Sequence, residues 1–387
     1  MIKYRSGGGK GEDQNEFNEA SYFCILNLPT DLIHKIFSRL QLKYILRSRV
    51  VCRAWYNLFS VPDFMHHYAK NTPFTTLLLS HYQQAVTATE HHTFSFVEIS
   101  EEGDCTRTTI EPKLPFCRKQ DSFLSIKGSC NGLLCLLLHN SRFEVIYIYN
   151  PTSGESISLP VHTFDKYERA YLVSLVYEFG FSPSTNNFKV LKINHQKTIN
   201  GERVQQCEIF TVGVDHKWRQ LEFSFKVGYY ACRIALNWAV CWFARDLDST
   251  NYIAAFDFGK EEVGLISHPH GLLLKYMELA FLNNRLRLLD YSIPSHYTMW
   301  TMEEYGVAES WTKIVISRSC FPSCAPLLWQ CPIAILQNGN LLFRLGRGKG
   351  FMCYNPTQKE CTVVEVPDDV QQFIYYIKEF APIRLGA

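Results

Sequence analysis

A chain of 387 residues is too long for one ordinary small domain and points to two or three units, or to two when one is a closed all-β unit. Its composition is 47% hydrophobic and 20% charged, with 27 Phe and 21 Tyr, which supplies a sizeable core and excludes disorder over most of the length. The formal net charge is +2, so no global field drives the chain onto nucleic acid or an anionic membrane, and partners are chosen locally.

Met1 to Ala20 holds no apolar segment of the kind a signal peptide needs and reads as a flexible tail. Apolar runs such as Leu133 to Leu138 fall far short of the about 20 residues that cross a bilayer, so a soluble protein is expected. Fourteen Cys are scattered without fixed spacing. Reduced thiols fit this better than a disulfide framework, and a reducing compartment, cytoplasm or nucleus, is expected.

From Leu28 the apolar residues Leu28, Leu32, Ile33, Ile36, Phe37 and Leu40 recur at helical spacing, which predicts a first helix of about three turns with one apolar stripe. Pro29 and Asp31 suit its N-terminus. Gln41 to Ser48 predicts a short second helix. Val50, Val51, Ala54, Trp55 and Leu58 predict a third, which Pro62 stops. A module of about forty residues buries too little surface to be self-sufficient, so a partner surface is expected.

The residues of this module, Leu28-Pro29-Thr30-Asp31-Leu32, Ile36-Phe37-Ser38-Arg39-Leu40, Leu46 to Trp55 and Ser60-Val61-Pro62-Asp63-Phe64, closely resemble the F-box motif in order and over its whole length. The family's usual Pro between the first two helices is Gln41 here. The resemblance implies that the module, residues 21–70, docks on a Skp-type adaptor that a cullin scaffold holds. Leu28, Pro29, Ile33, Leu40, Val50, Cys52 and Trp55 stand at the motif's adaptor-contacting positions. Over residues 27–69, six basic residues (Lys35, Arg39, Lys43, Arg47, Arg49, Arg53) against Asp31 and Asp63 give a local charge of +4, which suits an acidic partner through steering. A DNA-reading helix-turn-helix does not fit, because no cluster of Asn, Gln or Arg lies on one recognition face.

After Pro73 the helical period gives way to short β-branched and aromatic runs between turn signals, the pattern of an all-β domain over residues 73–385. Tyr149-Asn150-Pro151-Thr152 with Glu155 recurs as Tyr354-Asn355-Pro356-Thr357 with Glu360, and Phe256-Asp257 with Glu262 follows the same scheme. Further units fall at Phe94 to Pro112, Ile209 to Leu221 and Trp300 to Ile314. A period of about fifty with four short strands per unit predicts a kelch-like β-propeller of about six blades. Thr75 to Ser80 and Phe373 to Lys378 can share one blade and close the ring, leaving no exposed sheet edge. The kelch di-glycine is absent from every unit, and a distorted propeller or an open sandwich fits the same pattern. The fold class expected is thus α+β multidomain, a small three-helix module before an all-β repeat domain.

Gly128-Ser129-Cys130-Asn131-Gly132-Leu133-Leu134-Cys135-Leu136, Tyr149-Asn150-Pro151-Thr152, Gly180-Phe181, Ala255-Phe256-Asp257 and Glu304 to Lys313 resemble the F-box-associated domain of the large plant F-box group. With the N-terminal motif, this implies a plant source and the role of substrate-recognition subunit in an SCF-type ubiquitin ligase. The target's identity does not carry over from the group. A propeller enzyme or small-molecule receptor, using its F-box only for turnover or localisation, is the alternative; a polar pocket with converging ionisable groups would favour it.

Catalytic signatures are sparse. Gly346-Arg347-Gly348-Lys349-Gly350 lies between two strand-like runs and reads as a hairpin turn, not a phosphate cradle opening a helix. Cys320, Cys324 and Cys331, with His268 and His270, lack the spacing of a zinc site. Neither G-x-S-x-G nor H-E-x-x-H occurs. No catalysis, no cofactor and no metal are expected of the chain itself. Aromatic and basic residues assigned to loops, among them Tyr229, Trp242, Arg245 and Arg347, are of the types that dominate interfaces. Tyr230, His270, Tyr297 and Trp329 are the candidates for a target-binding patch.

Overall fold

The computed structural model describes residues 28–49, 51–59, 64, 67, 68, 71, 72, 75–83, 91–100, 104–110, 114, 123–140, 143–151, 154–163, 171–222, 233–236, 238–245, 251–269, 276–320, 332–336, 338–345, 350–364 and 373–376. Three helices come first: α1 (Thr30–Phe37), α2 (Leu42–Ser48) and α3 (Arg53–Leu58). α1 is shorter than its apolar stripe. Pro29, which has no N–H to give, stands at its N-cap, and the backbone tightens into i→i+3 bonds at Arg39 and Leu40.

That stripe also divides into two neighbouring ridges. Ile33 and Phe37 turn inward and are buried, whereas Leu32 and Ile36, one position earlier in each pair, face outward. α1 and α3 meet edge to face through Phe37 and Trp55, with ring centroids 5.4 Å apart.

After further helical positions at Phe64, His67, Tyr68 and Asn71, the numbered elements are strands, with two short 3-10 turns among them. The first sheet holds β1 (Thr75–Gln83), β2 (His91–Ile99) and β3 (Cys105–Ile110). The second holds β4 (Phe123–Cys130), β5 (Leu133–His139), β6 (Phe143–Tyr149), β7 (Ser156–Ser158) and β8 (His162–Thr163). The third holds β9 (Leu172–Ser182), β10 (Asn187–Lys197), β11 (Arg203–Thr211) and β12 (Arg219–Leu221). β13 (Arg233–Leu236), β14 (Ala239–Arg245), β15 (Asn251–Asp257) and β16 (Glu262–Ile266) form the next. They are followed by β17 (Met277–Leu282), β18 (Arg285–Asp290), β19 (His296–Met302) and β20 (Trp311–Ser317). Then come β21 (Pro332–Ile335), β22 (Leu341–Arg344), β23 (Phe351–Asn355) and β24 (Glu360–Val364). The last strand, β25 (Phe373–Tyr376), returns to the first sheet and pairs antiparallel with β1, Leu77 opposite Tyr376 and Ser80 opposite Phe373.

Each sheet is an antiparallel meander. The period leads to an expectation of about six blades; among the described residues the four-stranded blades number five, and the second sheet departs by adding β8 beside β6. The innermost strands β25, β4, β9, β13, β17 and β21 contact one another in that order and return to β25. The sheets therefore form a closed propeller rather than an open sandwich, and the chain's last strand completes its first blade.

The sequence repeat has a structural meaning at the turn from third to fourth strand of a blade. Asp257 Oδ1 accepts the N–H groups of Gly259 and Lys260 at 2.7 and 3.0 Å, and Asn355 Oδ1 accepts those of Thr357 and Gln358, both at 2.9 Å. These are side-chain-capped turns, the reason Asp and Asn recur at positions 257 and 355. At the same turns the N–H of Gly154, Glu261 and Lys359 reaches back to the carbonyl four residues earlier, and all three adopt positive φ. Gly180 has a different reason: a Cβ there would lie 2.2 Å from the Phe258 ring of the adjoining blade.

Every pair of neighbouring blades shares its own apolar cluster. The joint between the first two blades differs from the others. Phe94 and Phe96 of β2 and Leu134, Leu136 and Leu138 of β5 pack there with Ile33, Phe37, Leu42, Ile45, Phe59, Phe64 and Tyr68 of the helical module. The module is seated on that joint and shares its core.

Two aromatic residues assigned to loops lie inside blades instead. Trp242, on β14, is fully buried between blades. Tyr297, on β19, is 2% exposed, with the Arg318 guanidinium over its ring at 4.3 Å. Successive β14 side chains enter the apolar clusters on opposite faces of the blade, and along β19 buried and half-buried positions alternate; large aromatic area is worth most where it fills an interblade gap.

Removing residues 373–387 should leave β1 with an unpaired edge at the innermost position of its blade. The truncated chain is expected to aggregate or to melt at least about 4 °C lower; a monomer with unchanged melting, by scanning calorimetry and light scattering, would contradict the closure.

Candidate adaptor and target interfaces

The seven adaptor-face candidates separate by exposure. Pro29 and Cys52 are exposed, while Leu28, Leu40 and Trp55 are half-buried against the shared cluster. Ile33 is 4% exposed and belongs to the core, so the expectation that it faces a partner is corrected. Its ring of neighbours explains why: it lies on the inward ridge with Phe37, which contacts Trp55, Phe59 and Phe64. Val50 lies outside the described residues.

Sequence reasoning missed the residues that are exposed and apolar here. Leu32 is 45% exposed, Ile36 43% and Val51 65%, with Tyr56 also exposed. The available signal was the doubling of the stripe: positions 32, 33, 36 and 37 are all apolar, which is wider than one buried face requires. Of the basic residues, Lys35, Arg39, Arg47 and Arg53 are exposed beside this surface. Arg49 is instead buried, its guanidinium 5.0 Å from the centre of the Tyr56 ring.

The joint beneath this surface holds a buried carboxyl. Glu98 on β2 is 2% exposed, and its Oε1 accepts the N–H of Leu42, the first residue of α2, at 2.7 Å. The Tyr68 hydroxyl donates to the Leu40 carbonyl at 2.8 Å and lies 3.5 Å from the same Oε1. Burial pushes the Glu98 carboxyl up to about 7, against the opposing pull of the Leu42 N–H, the Lys43 charge and the Tyr68 hydroxyl. Burial, and then the Glu98 charge, push the Tyr68 hydroxyl upward.

Of the target-face candidates, Tyr297 alone lies within the described residues. Tyr297 is buried, as described, and Tyr230, His270 and Trp329 lie outside the described residues, as do Tyr229 and Arg347. Arg245 ends strand β14 rather than occupying a loop. Residues 346–349 of the glycine-rich stretch lie outside the described residues; the strands on either side of it, β22 and β23, pair antiparallel, and Gly350 has φ 95°.

The thiols show no activated nucleophile among those with a shift: burial pushes Cys241 up to about 12 and Cys105 and Cys207 up to about 11. Among the described residues no group of three or more His, Cys, Asp or Glu could hold a metal, and no helix is long and apolar enough to cross a membrane. One charge cluster links two blades. Lys189 pairs with Glu261 at 2.7 Å and donates to the Phe258 carbonyl at 2.8 Å, and Arg219 reaches the same Glu261 at 2.8 Å. They tie the third blade to the turn between β15 and β16.

A three-helix module with an exposed apolar ridge, seated on a closed β-propeller, is the arrangement of an F-box joined to a β-propeller domain. The chain belongs to the F-box proteins that carry an F-box associated beta propeller domain: that family's model matches residues 83–379, and the F-box domain model matches residues 25–67. F-box protein At3g07870 of Arabidopsis thaliana is 30% identical over 312 residues, 74% of this chain and 72% of that protein. F-box protein At4g22390 of the same plant is 24% identical, with 74% and 73% covered. The F-box/kelch-repeat protein At3g23880, also from Arabidopsis thaliana, is 24% identical over 84% of this chain and 89% of its own length.

The Glu98 carboxyl sets a pH dependence whose sign follows from its direction of shift. Because its folded value lies above the ordinary 4.5, its contribution to stability is full below about pH 4.5, declines as pH rises toward about 7, and is constant above. Glu98→Gln has no such segment. The stability difference between variant and wild type should shift in the variant's favour by up to about 3 kcal/mol between about pH 4.5 and pH 7.5. Parallel denaturation curves for both proteins across that range check it, and a difference that stays constant would contradict the burial of the charge.

Proposed function

We propose that this chain is the substrate-recognition subunit of an SCF-type E3 ubiquitin-protein ligase, working in the cytoplasm or nucleus. Its F-box binds a Skp-type adaptor, itself held by a cullin, and its propeller, of kelch-like type, captures a target protein for ubiquitination. The observation that carries this reading is the outward ridge of α1 beside α3. Leu32, Ile36 and Val51 stay exposed although a closed core is available a few ångströms away, and apolar side chains gathered on a small basic module suit a partner surface. Pro29, Cys52, Tyr56 and the uncovered parts of Leu28, Leu40 and Trp55 extend the adaptor face.

The chain takes no chemical step in this reading. It supplies proximity, holding a target near a ubiquitin-loaded enzyme. A stable interface takes about 800 Å² from each partner, and the adaptor claims most of the small F-box. The propeller is left to hold the target.

Because the F-box shares its core with the first two blades, deleting it would strip Phe94 and Phe96 of their cover. Surface substitutions in the full chain avoid this. Leu32→Asp with Ile36→Asp should lower adaptor affinity at least about 100-fold, since each charge enters an apolar interface, with the melting temperature unchanged. Ile33→Ala should act the other way, costing about 2–5 kcal/mol of stability while leaving adaptor affinity of the folded fraction near wild type. Adaptor binding at wild-type strength by the folded double variant would overturn the assignment.

A further inference from the structure

We propose that Glu98 is a positioning residue: it locks the F-box to the propeller in one orientation, so that a joint built on β2 sets the geometry between a bound adaptor and a bound target. This rests on the function proposed above.

The shared apolar cluster explains why the two parts adhere, but apolar contact is non-directional and leaves their relative rotation loosely specified. A buried hydrogen bond to a carboxyl is directional. The N-terminal N–H groups of a helix have no partner within it, and Gln41, at the N-cap of α2, makes no side-chain capping bond. The acceptor for Leu42 comes instead from Glu98, in another part of the fold, at 2.7 Å. Glu98 is on the same face of β2 as Phe94 and Phe96, by the two-residue period of a strand, and so points into the joint.

Its burial makes the bond stringent. A carboxyl with 2% exposure is costly once its partner moves away, so rotation of α2 would leave both the carboxyl and the Leu42 N–H unsatisfied. Tyr68 ties a second segment to the same point, because its hydroxyl holds the Leu40 carbonyl, between α1 and α2, at 2.8 Å and sits 3.5 Å from Glu98 Oε1. The turn between α1 and α2, the Tyr68 segment and strand β2 thus converge on one oxygen. A packed core alone would not need a carboxyl there.

The test uses the full chain with Glu98→Met, which keeps volume and removes the acceptor, and Glu98→Gln, which keeps the acceptor. One readout is amide exchange at Leu42 in the free chain, expected to accelerate about tenfold or more in the Met variant and to stay near wild type in the Gln variant. The other is the distance distribution between spin-labelled noncanonical residues at the exposed positions Asn57 and Ile199, with and without adaptor. It should be single and narrow in wild type and Gln, and at least about twofold broader in Met. Wild-type exchange in the Met variant overturns the proposal. Faster exchange with an unbroadened distribution also overturns it, because the bond would then serve stability alone. Failure of the wild-type chain to bind adaptor would sink the ligase reading, while the free-chain exchange and distances would still decide the joint.

Discussion

The meeting of the F-box with β2 and β5 is the constraint on which the rest depends. A helical module of about forty residues cannot exclude enough water to stand alone, and this one does not try. Ile33, Phe37, Leu42, Ile45, Phe59 and Phe64 complete an apolar cluster whose other half is Phe94, Phe96 and the leucines of β5. Elsewhere around the ring, two blades suffice to close each interblade gap. Here the third body is the F-box, and its loss would open the gap between the first two blades.

That arrangement decides which side chains remain for partners. Each of α1's apolar pairs gives one residue to the joint and one to the surface: Ile33 and Phe37 inward, Leu32 and Ile36 outward. α3 contributes no fully buried residue and leaves Val51, just before it, and Tyr56, within it, exposed. The module is therefore a two-sided wedge. One side belongs to the propeller and the other is free, and Glu98 fixes the angle between them. The propeller in turn owes its rigidity to closure by β25, so the orientation set at the first blade is carried around the whole ring.

Much of this was legible in the sequence. Asp257 and Asn355 are turn caps, so their recurrence marked two of the blades directly, and the complementary strand character of residues 75–80 and 373–378 marked the closure. Ile33 was misplaced because periodicity identifies an apolar face without saying whether the cover is another part of the chain or another protein. Trp242 and Tyr297 were misplaced because aromatic residues are equally suited to interfaces and to gaps between blades, and only their place within strands β14 and β19, packed against a neighbouring blade, separates the two. Glu98 carried no local signal at all. Its role depends on a helix end far away in sequence, and no pattern within β2 distinguishes it from a solvated strand residue.

The central claim is that F-box and propeller are one cooperative structure with a shared core. Scanning calorimetry of the full chain tests it most directly. The account predicts a single endotherm that includes the helical module, with calorimetric and van't Hoff enthalpies in agreement. Two resolved transitions, the smaller one abolished by Ile33→Ala and the larger left unmoved, would show an F-box that folds apart from the propeller and would contradict it.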